Sequence, residues 1–216
     1  MEIINRISAN NDWVTLIILG ILFLVVLANF TDQKRLRLLF ALPYNKFYRL
    51  QYSTHTWDFF NGLFFVISIL TLSLFIFLSV QKLNPNFIAY NSNPYIKIVG
   101  IILGYWIFRY VLGIIVAYLF EIKKTQNQAI FIKMSYYYSA SLYLLIFLIF
   151  SLYFFDFHVN FIYFTVAFFI VFFLIRYVNF LVFFKRQISS HLFYFILYLC
   201  TLEIAPILIA IKIGVL

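Results

Sequence analysis

Residues His191–Lys212 read HLFYFILYLCTLEIAPILIAIK, and this stretch governs the interpretation of the whole chain. At about 1.5 Å per residue, it is long enough to cross a hydrocarbon core about 30 Å thick as one helix. Near its middle is Glu203, a carboxylate that costs roughly 2.5 to 3.5 kcal/mol at the centre of a spanning helix, so we expect it to face protein or water. Pro206 follows three residues later and removes a helical hydrogen bond, which predicts a kink.

The composition extends this interpretation to the rest of the chain. Of the 216 residues, 65% are hydrophobic and 11% charged, whereas soluble domains average roughly 45 to 50% and 25%. This composition is typical of an all-α polytopic membrane protein. Because the net charge of +9 falls between apolar segments, we expect it to set topology and expect no nucleic-acid binding. We predict one domain over residues 1–216 with six transmembrane helices, at about 13–30, 57–80, 95–120, 134–155, 161–184 and 191–212.

Cations are distributed unevenly between the two sides of this arrangement. Ten lie in loops on one side and four on the other, apart from two inside the spans. Positively charged loops face the cytoplasm, so we predict that both termini lie on the opposite side. Apolar residues alternate with five cations in the loop after the first span, which predicts that this loop contacts lipid headgroups or a partner there. These five cations are Lys34, Arg35, Arg37, Lys46 and Arg49.

The two cations inside predicted spans, Arg109 and Arg176, are candidates to pair with Glu203. At ~1.5 Å per residue, Glu203 lies about 20 Å from the cytoplasmic end of its span, Arg109 about 17 Å and Arg176 about 12 Å. The similar depths favour Arg109, with Arg176 as the second candidate. Such a buried charge cluster is either a structural ion pair or the site of a proton relay, an ion pathway or an acidic substrate.

The last predicted span has a second polar face. His191, Tyr194, Tyr198 and Thr201 fall within one arc of a helical wheel, and Glu203 lies almost opposite. A helix with two such faces is expected inside the bundle or at an interface with another subunit. The arc serves either hydrogen bonding between helices or the lining of a ligand site.

Residues typical of catalysis or metal binding do not form a recognisable set. His55 with Asp58 and Asp156 with His158 are pairs close in sequence, but two ligands fall short of a structural metal site. Cys200 lies in an apolar stretch, where a thiol stays protonated. We therefore predict that the chain is not an enzyme and uses no metal or cofactor.

The motif LYLCTLEIAP at residues 197–206, followed by an apolar run and a lysine, resembles the C-terminal signature of a family of Bacteroidetes integral-membrane proteins, domain of unknown function 4271. The likeness extends to the opening Asp12–Trp13 and to the spacing of the spans, so it covers nearly the whole chain. Ala205 replaces the large aliphatic residue usual in the signature. The resemblance implies the inner membrane of a Gram-negative cell, which makes the outer side the periplasm. It implies no particular reaction.

Our hypothesis from the sequence is a non-catalytic inner-membrane subunit or assembly factor of a cell-envelope complex, for example one for protein export. Its expected partners are the lipid bilayer and other membrane-protein subunits. The alternative is a small proton-coupled transporter or channel that uses Glu203, Arg109 and Arg176. An interaction protein should co-purify with stable partners, whereas a transporter should have a polar cavity that reaches Glu203.

The topology can be tested with reporters fused after Leu216. If both termini are periplasmic, as the distribution of cations predicts, alkaline phosphatase should be active there and a reporter that works only in the cytoplasm should be inactive. The reverse pattern of activities would overturn the assignment.

Overall fold

The computed structural model describes residues 12–42, 58–83, 94–119, 123–154 and 157–190, and these ranges are helical throughout apart from short connections. Five of the helices are long and apolar enough to cross a membrane, and the short α2 is the exception. The predicted all-α, polytopic fold is thereby confirmed. The helices are α1 (Asp12–Thr31), α2 (Gln33–Phe40), α3 (Phe59–Leu83), α4 (Pro94–Leu119), α5 (Lys123–Tyr153) and α6 (Val159–Ser190).

The sixth predicted span, residues 191–212, lies outside the described ranges. The prediction of a sixth helix, and of both termini on the periplasmic side, therefore stays a prediction. The same holds for the individual residues assigned to that span, which are Glu203, Pro206, His191, Tyr194, Tyr198 and Thr201.

Observed helix boundaries agree with the predicted spans to within a few residues, except at α5 and α6. Helix α5 begins at Lys123 rather than near 134, and α6 continues to Ser190 rather than ending near 184. Hydropathy marks only the part of a helix that is apolar. The polar sequence KKTQNQAIFIK at the start of α5 is rich in residues that favour helix, so the helix extends beyond its apolar portion.

Helices α3 and α5 form the centre of the described bundle. In α5, 61% of the most apolar stretch is buried inside the protein, compared with 11% in α4. Both central helices contribute to two layers of buried side chains. One layer includes Phe64 of α3 and Tyr136 of α5, and the other includes Leu74 of α3 and Leu148 of α5. The remaining helices pack around this pair.

Aromatic rings fill the interface between α5 and α6. Phe147 of α5 lies 5.0 Å from Phe168 of α6, measured between ring centroids, and also contacts Phe161, Phe164 and Phe169. Small residues usually let membrane helices approach closely. Here, tilted and edge-to-face ring pairs supply the contact area instead, in keeping with a chain of 30 Phe and only six Gly.

A sharp corner joins α1 to α2. Asp32 ends α1 and caps α2, because its Oδ1 accepts a hydrogen bond from the backbone N–H of Arg35 at 2.9 Å. The apolar side of α2 points into the bundle, where Leu36 and Leu39 are buried. The hydroxyl of Tyr143 in α5 donates to the backbone oxygen of Phe40 at 2.8 Å. The short helix therefore packs on protein through its apolar side.

Candidate functional site

Two polar clusters and a cavity lie together between α2, α3, α4, α5 and α6. One cluster surrounds Arg35 of α2 where it contacts the start of α3, and the other surrounds Tyr137 in α5. By the predicted topology, this is the cytoplasmic half of the bundle. Both clusters therefore lie toward the same end of the described bundle.

Arg35 is the centre of the first cluster. Its Nη1 donates to Oδ2 of Asp58 at 2.9 Å, and its Nη2 donates to Oδ1 of Asn61 at 2.9 Å. The guanidinium also lies over the ring of Phe60, 4.6 Å from the centroid, a favourable position for a cation. The Arg35 side chain is 4% exposed and that of Asp58 is 36% exposed. The pair therefore joins a buried cation to a partly accessible carboxylate.

This position of Arg35 differs from our expectation that all five loop cations face headgroups or a partner. The Asp32 cap begins α2 in a register that turns Arg35 toward α3, where Asp58 and Asn61 replace its water. Lys34 and Arg37 are exposed, as expected of a basic surface. Lys46 and Arg49 lie outside the described residues.

Sequence reasoning missed the role of Asp58 and Asn61. A signal was available, because the two residues are three apart at the beginning of an apolar run, a spacing that places them on one face of a helix. Asp58 also begins α3, since its backbone oxygen accepts from the N–H of Gly62 at 3.1 Å. His55, the other member of the sequence pair considered above, lies outside the described residues.

Tyr137 is the centre of the second cluster. Nη1 of Arg109 in α4 lies 3.4 Å from the Tyr137 hydroxyl and 3.3 Å from that of Tyr105. The guanidinium of Arg176 in α6 lies 4.6 Å from the centroid of the Tyr137 ring and 5.6 Å from that of Phe173. One tyrosine therefore joins two arginines from different helices, and Arg176 is buried.

The two arginines were expected to differ as partners of Glu203 because they differ in depth along their helices. In the folded protein, both reach the same tyrosine, so depth alone does not separate them. A long arginine side chain covers several ångströms of helix axis, which removes the difference. Glu203 lies outside the described residues, and its pairing with either arginine stays a prediction.

A cavity lies beside both clusters. It has a volume of about 390 Å³ and lies between α3, α4 and α5, with Asp58 and Asn61 among its lining residues. Trp106 forms part of its wall and contacts Tyr137, with 4.8 Å between the ring centroids. Within the described ranges, no three of His, Cys, Asp and Glu come close enough together to hold a metal ion.

Comparison with known families adds one finding to this geometry. Residues 14–213 match the family model described as "Domain of unknown function (DUF4271)". The match covers the described helices, apart from the first two residues of α1, and the predicted sixth span. No curated protein and no solved structure matches the chain.

We predict that Arg35→Leu destabilises the protein more than the same change at Arg37. Arg35→Leu leaves Asp58 without its cation, and removal of one partner from a buried pair costs about 3 to 5 kcal/mol. Because Asp58 is 36% exposed, we expect a loss near or below the lower end of that range. Arg37 is exposed on the same helix, so Arg37→Leu should change the free energy of unfolding by no more than about 0.5 kcal/mol. Unfolding titrations in mixed micelles can measure both changes, and equal stabilities would contradict the assignment.

We further predict that Glu203 pairs with the arginines at Tyr137. Glu203→Gln or Arg109→Leu alone should reduce the yield of folded protein, and the double change Arg109→Leu with Glu203→Leu should recover much of it, because neither charge is then left alone. The double change Arg176→Leu with Glu203→Leu tests the second arginine in the same assay. Double variants that fold no better than the worse single variant would contradict the pairing. If the groups form a relay, the double variants should fold and lose activity.

Proposed function

We propose that this chain, which belongs to the DUF4271 family, is a non-catalytic subunit or assembly factor of a multi-protein complex in a bacterial inner membrane. The observation that carries the proposal is the outward face of α4, which suits another transmembrane helix better than it suits lipid. A cell-envelope process such as protein export is consistent with this role.

Among the five described spans, α4 is the least embedded in its own protein. Only 11% of its most apolar stretch is buried, compared with 44% for α3 and 61% for α5. Ile98 and Ile102, on one side of α4, contact the bundle. The opposite side carries large exposed apolar residues, including Val111 and Ile115. This wide outer face is available for contacts within the membrane.

Two glycines lie at the centre of that outer face. Gly100 and Gly104 form the sequence GIILG and are one helical turn apart. Both are exposed, and a Cβ added at either would meet nothing within 4 Å. The spacing is that of the G-x-x-x-G pattern, in which two glycines let the backbone of another helix approach closely. The face therefore combines a shallow groove with apolar walls.

Helix packing accounts for these glycines better than lipid contact does. A glycine inside a helix costs about 1 kcal/mol relative to alanine, and acyl chains gain nothing from its missing side chain. Packing against another helix offsets that cost through van der Waals contact along the groove. The expected occupant is an apolar transmembrane helix of another subunit, with a small residue where the two helices cross.

The polar clusters support a structural role for the interior. Arg35 joins α2 to α3, and Tyr137 of α5 joins Arg109 of α4 to Arg176 of α6. Each cluster thus connects different helices, as residues that fix helix packing do. A bundle stabilised in this way presents a defined outer surface to a partner.

Transport is a second candidate function, and the cluster at Tyr137 favours it. Two arginines inside predicted spans are costly, and such residues often mark substrate or ion pathways. Under this alternative, Arg109 and Arg176 would attract an anion or control a proton on Glu203. The double variants described above distinguish this role from a structural one.

We predict that the double variant Gly100→Leu with Gly104→Leu loses its membrane partners. Two leucines fill the groove on α4 and keep another helix at a distance, which removes the close contact. The complex can be purified in mild detergent through a tag on this protein and its components quantified by mass spectrometry. We expect the partners of the wild type to be depleted at least about tenfold, the change expected when roughly 1.4 kcal/mol of affinity is lost.

Gly20→Leu in α1 is the matched control. Gly20 is also exposed, and a Cβ there would also meet nothing within 4 Å, so this change adds apolar volume to a different helix. It should leave the complex intact. Full recovery of the partners by the Gly100→Leu, Gly104→Leu variant would contradict the proposal. A second copy of the chain as the lost component would identify the contact as self-association.

A further inference from the structure

The cavity between α3, α4 and α5 has the composition of a ligand site. Its volume of about 390 Å³ falls within the range of roughly 300 to 1,000 Å³ usual for small-molecule pockets. Most of its walls are apolar or aromatic and come from all three helices. The apolar lining residues are Phe65, Trp106, Ile107, Ile130, Phe131 and Met134.

Polar groups are concentrated where α3 begins. Asp58 and Asn61 line the cavity there, and the Asp58 carboxylate is the charged group among the lining residues that the structure describes. Hydrogen bonds of 2.9 Å from Arg35 hold both side chains in place. The polar rim is therefore already in position in the folded protein and needs no rearrangement to receive a ligand.

The chemistry of the lining indicates what it would bind. Apolar walls favour a hydrocarbon chain, because such a chain contacts apolar and aromatic side chains without burying an unpaired polar group. A carboxylate and an amide oxygen at the rim favour an ammonium group, which offers three donors and a positive charge. A phosphatidylglycerol headgroup offers these oxygens only neutral hydroxyl donors, which form weaker hydrogen bonds to a carboxylate than an ammonium group does.

We propose that this cavity holds an acyl chain of an aminophospholipid, with the ammonium headgroup at Asp58 and Asn61. The site is separate from the outer face of α4 that carries the proposed function. The lipid site and the proposed function can therefore be disproved independently, because the first is tested at Gly62 and the second at Gly100 and Gly104.

Gly62 provides a way to fill the cavity. It lies on the wall in the first turn of α3, one residue after Asn61, and a Cβ added there would meet nothing within 4 Å. A leucine at this position adds an apolar side chain at the cavity wall, and its Cβ requires no neighbour to move. The change leaves the polar rim in place, so it tests occupancy rather than headgroup recognition.

The experiment uses the full chain reconstituted with equal amounts of phosphatidylethanolamine and phosphatidylglycerol that have identical acyl chains. After extraction into detergent, native mass spectrometry measures which lipid each variant retains. We expect the wild type and Gly20→Leu to retain phosphatidylethanolamine in preference to phosphatidylglycerol, and Gly62→Leu to lose that lipid. Retention by Gly62→Leu equal to that of the wild type would overturn the site. Equal retention of both lipids by the wild type would overturn the headgroup assignment.

A second measurement does not depend on the folding of Gly62→Leu. Trp106 lines the cavity, and replacing Trp13 and Trp57 by phenylalanine leaves it as the single tryptophan of the chain. Trace amounts of phosphatidylethanolamine with brominated acyl chains, added in detergent micelles, should quench its fluorescence saturably. The matching brominated phosphatidylglycerol should quench less at the same concentration. A linear, unsaturable response that is equal for the two lipids would show that no bound chain reaches Trp106 and would contradict the proposal.

Discussion

The buried guanidinium of Arg35 imposes the main constraint on the described bundle. A cation removed from water requires compensation, and Asp58, Asn61 and the ring of Phe60 supply it from the start of α3. The Asp32 cap sets the register in which α2 leaves α1, and that register turns Arg35 toward α3. These contacts fix the corner between α1 and α2 against the bundle. The apolar side of α2 then packs against the core, and the polar rim of the cavity is held in place.

Aromatic packing determines how the helices approach one another elsewhere. Phe147 of α5 contacts four rings of α6, and Trp106 of α4 contacts Tyr137 of α5. Large rings keep helix axes apart more than small residues do. The cavity lies beside one such ring, that of Trp106. The glycines of α4 lie on the opposite, outward side, where no side chain of the described bundle covers them.

The surroundings of Tyr137 illustrate how a polar group is accommodated inside a membrane helix bundle. Arg109 approaches its hydroxyl and Arg176 lies against its ring, so both cations contact the same side chain. Both arginines thereby keep their charge next to polar or polarisable groups instead of lipid. This arrangement also brings two positive charges to one point of the bundle. A carboxylate such as Glu203 is the complement that such a point favours.

The sequence by itself determined the membrane-spanning helices, because a helix in hydrocarbon must be long and apolar whatever its neighbours are. Five predicted spans correspond to α1, α3, α4, α5 and α6, and the position of Arg109 and Arg176 inside two of them was also evident. Only the tertiary structure decided that Arg35 is buried against Asp58, that both arginines meet at Tyr137, and that a cavity lies beside Trp106. Those outcomes depend on which helices are neighbours and which faces they share. Composition and periodicity describe one helix at a time, so the pairing of side chains from different helices was decided only by packing.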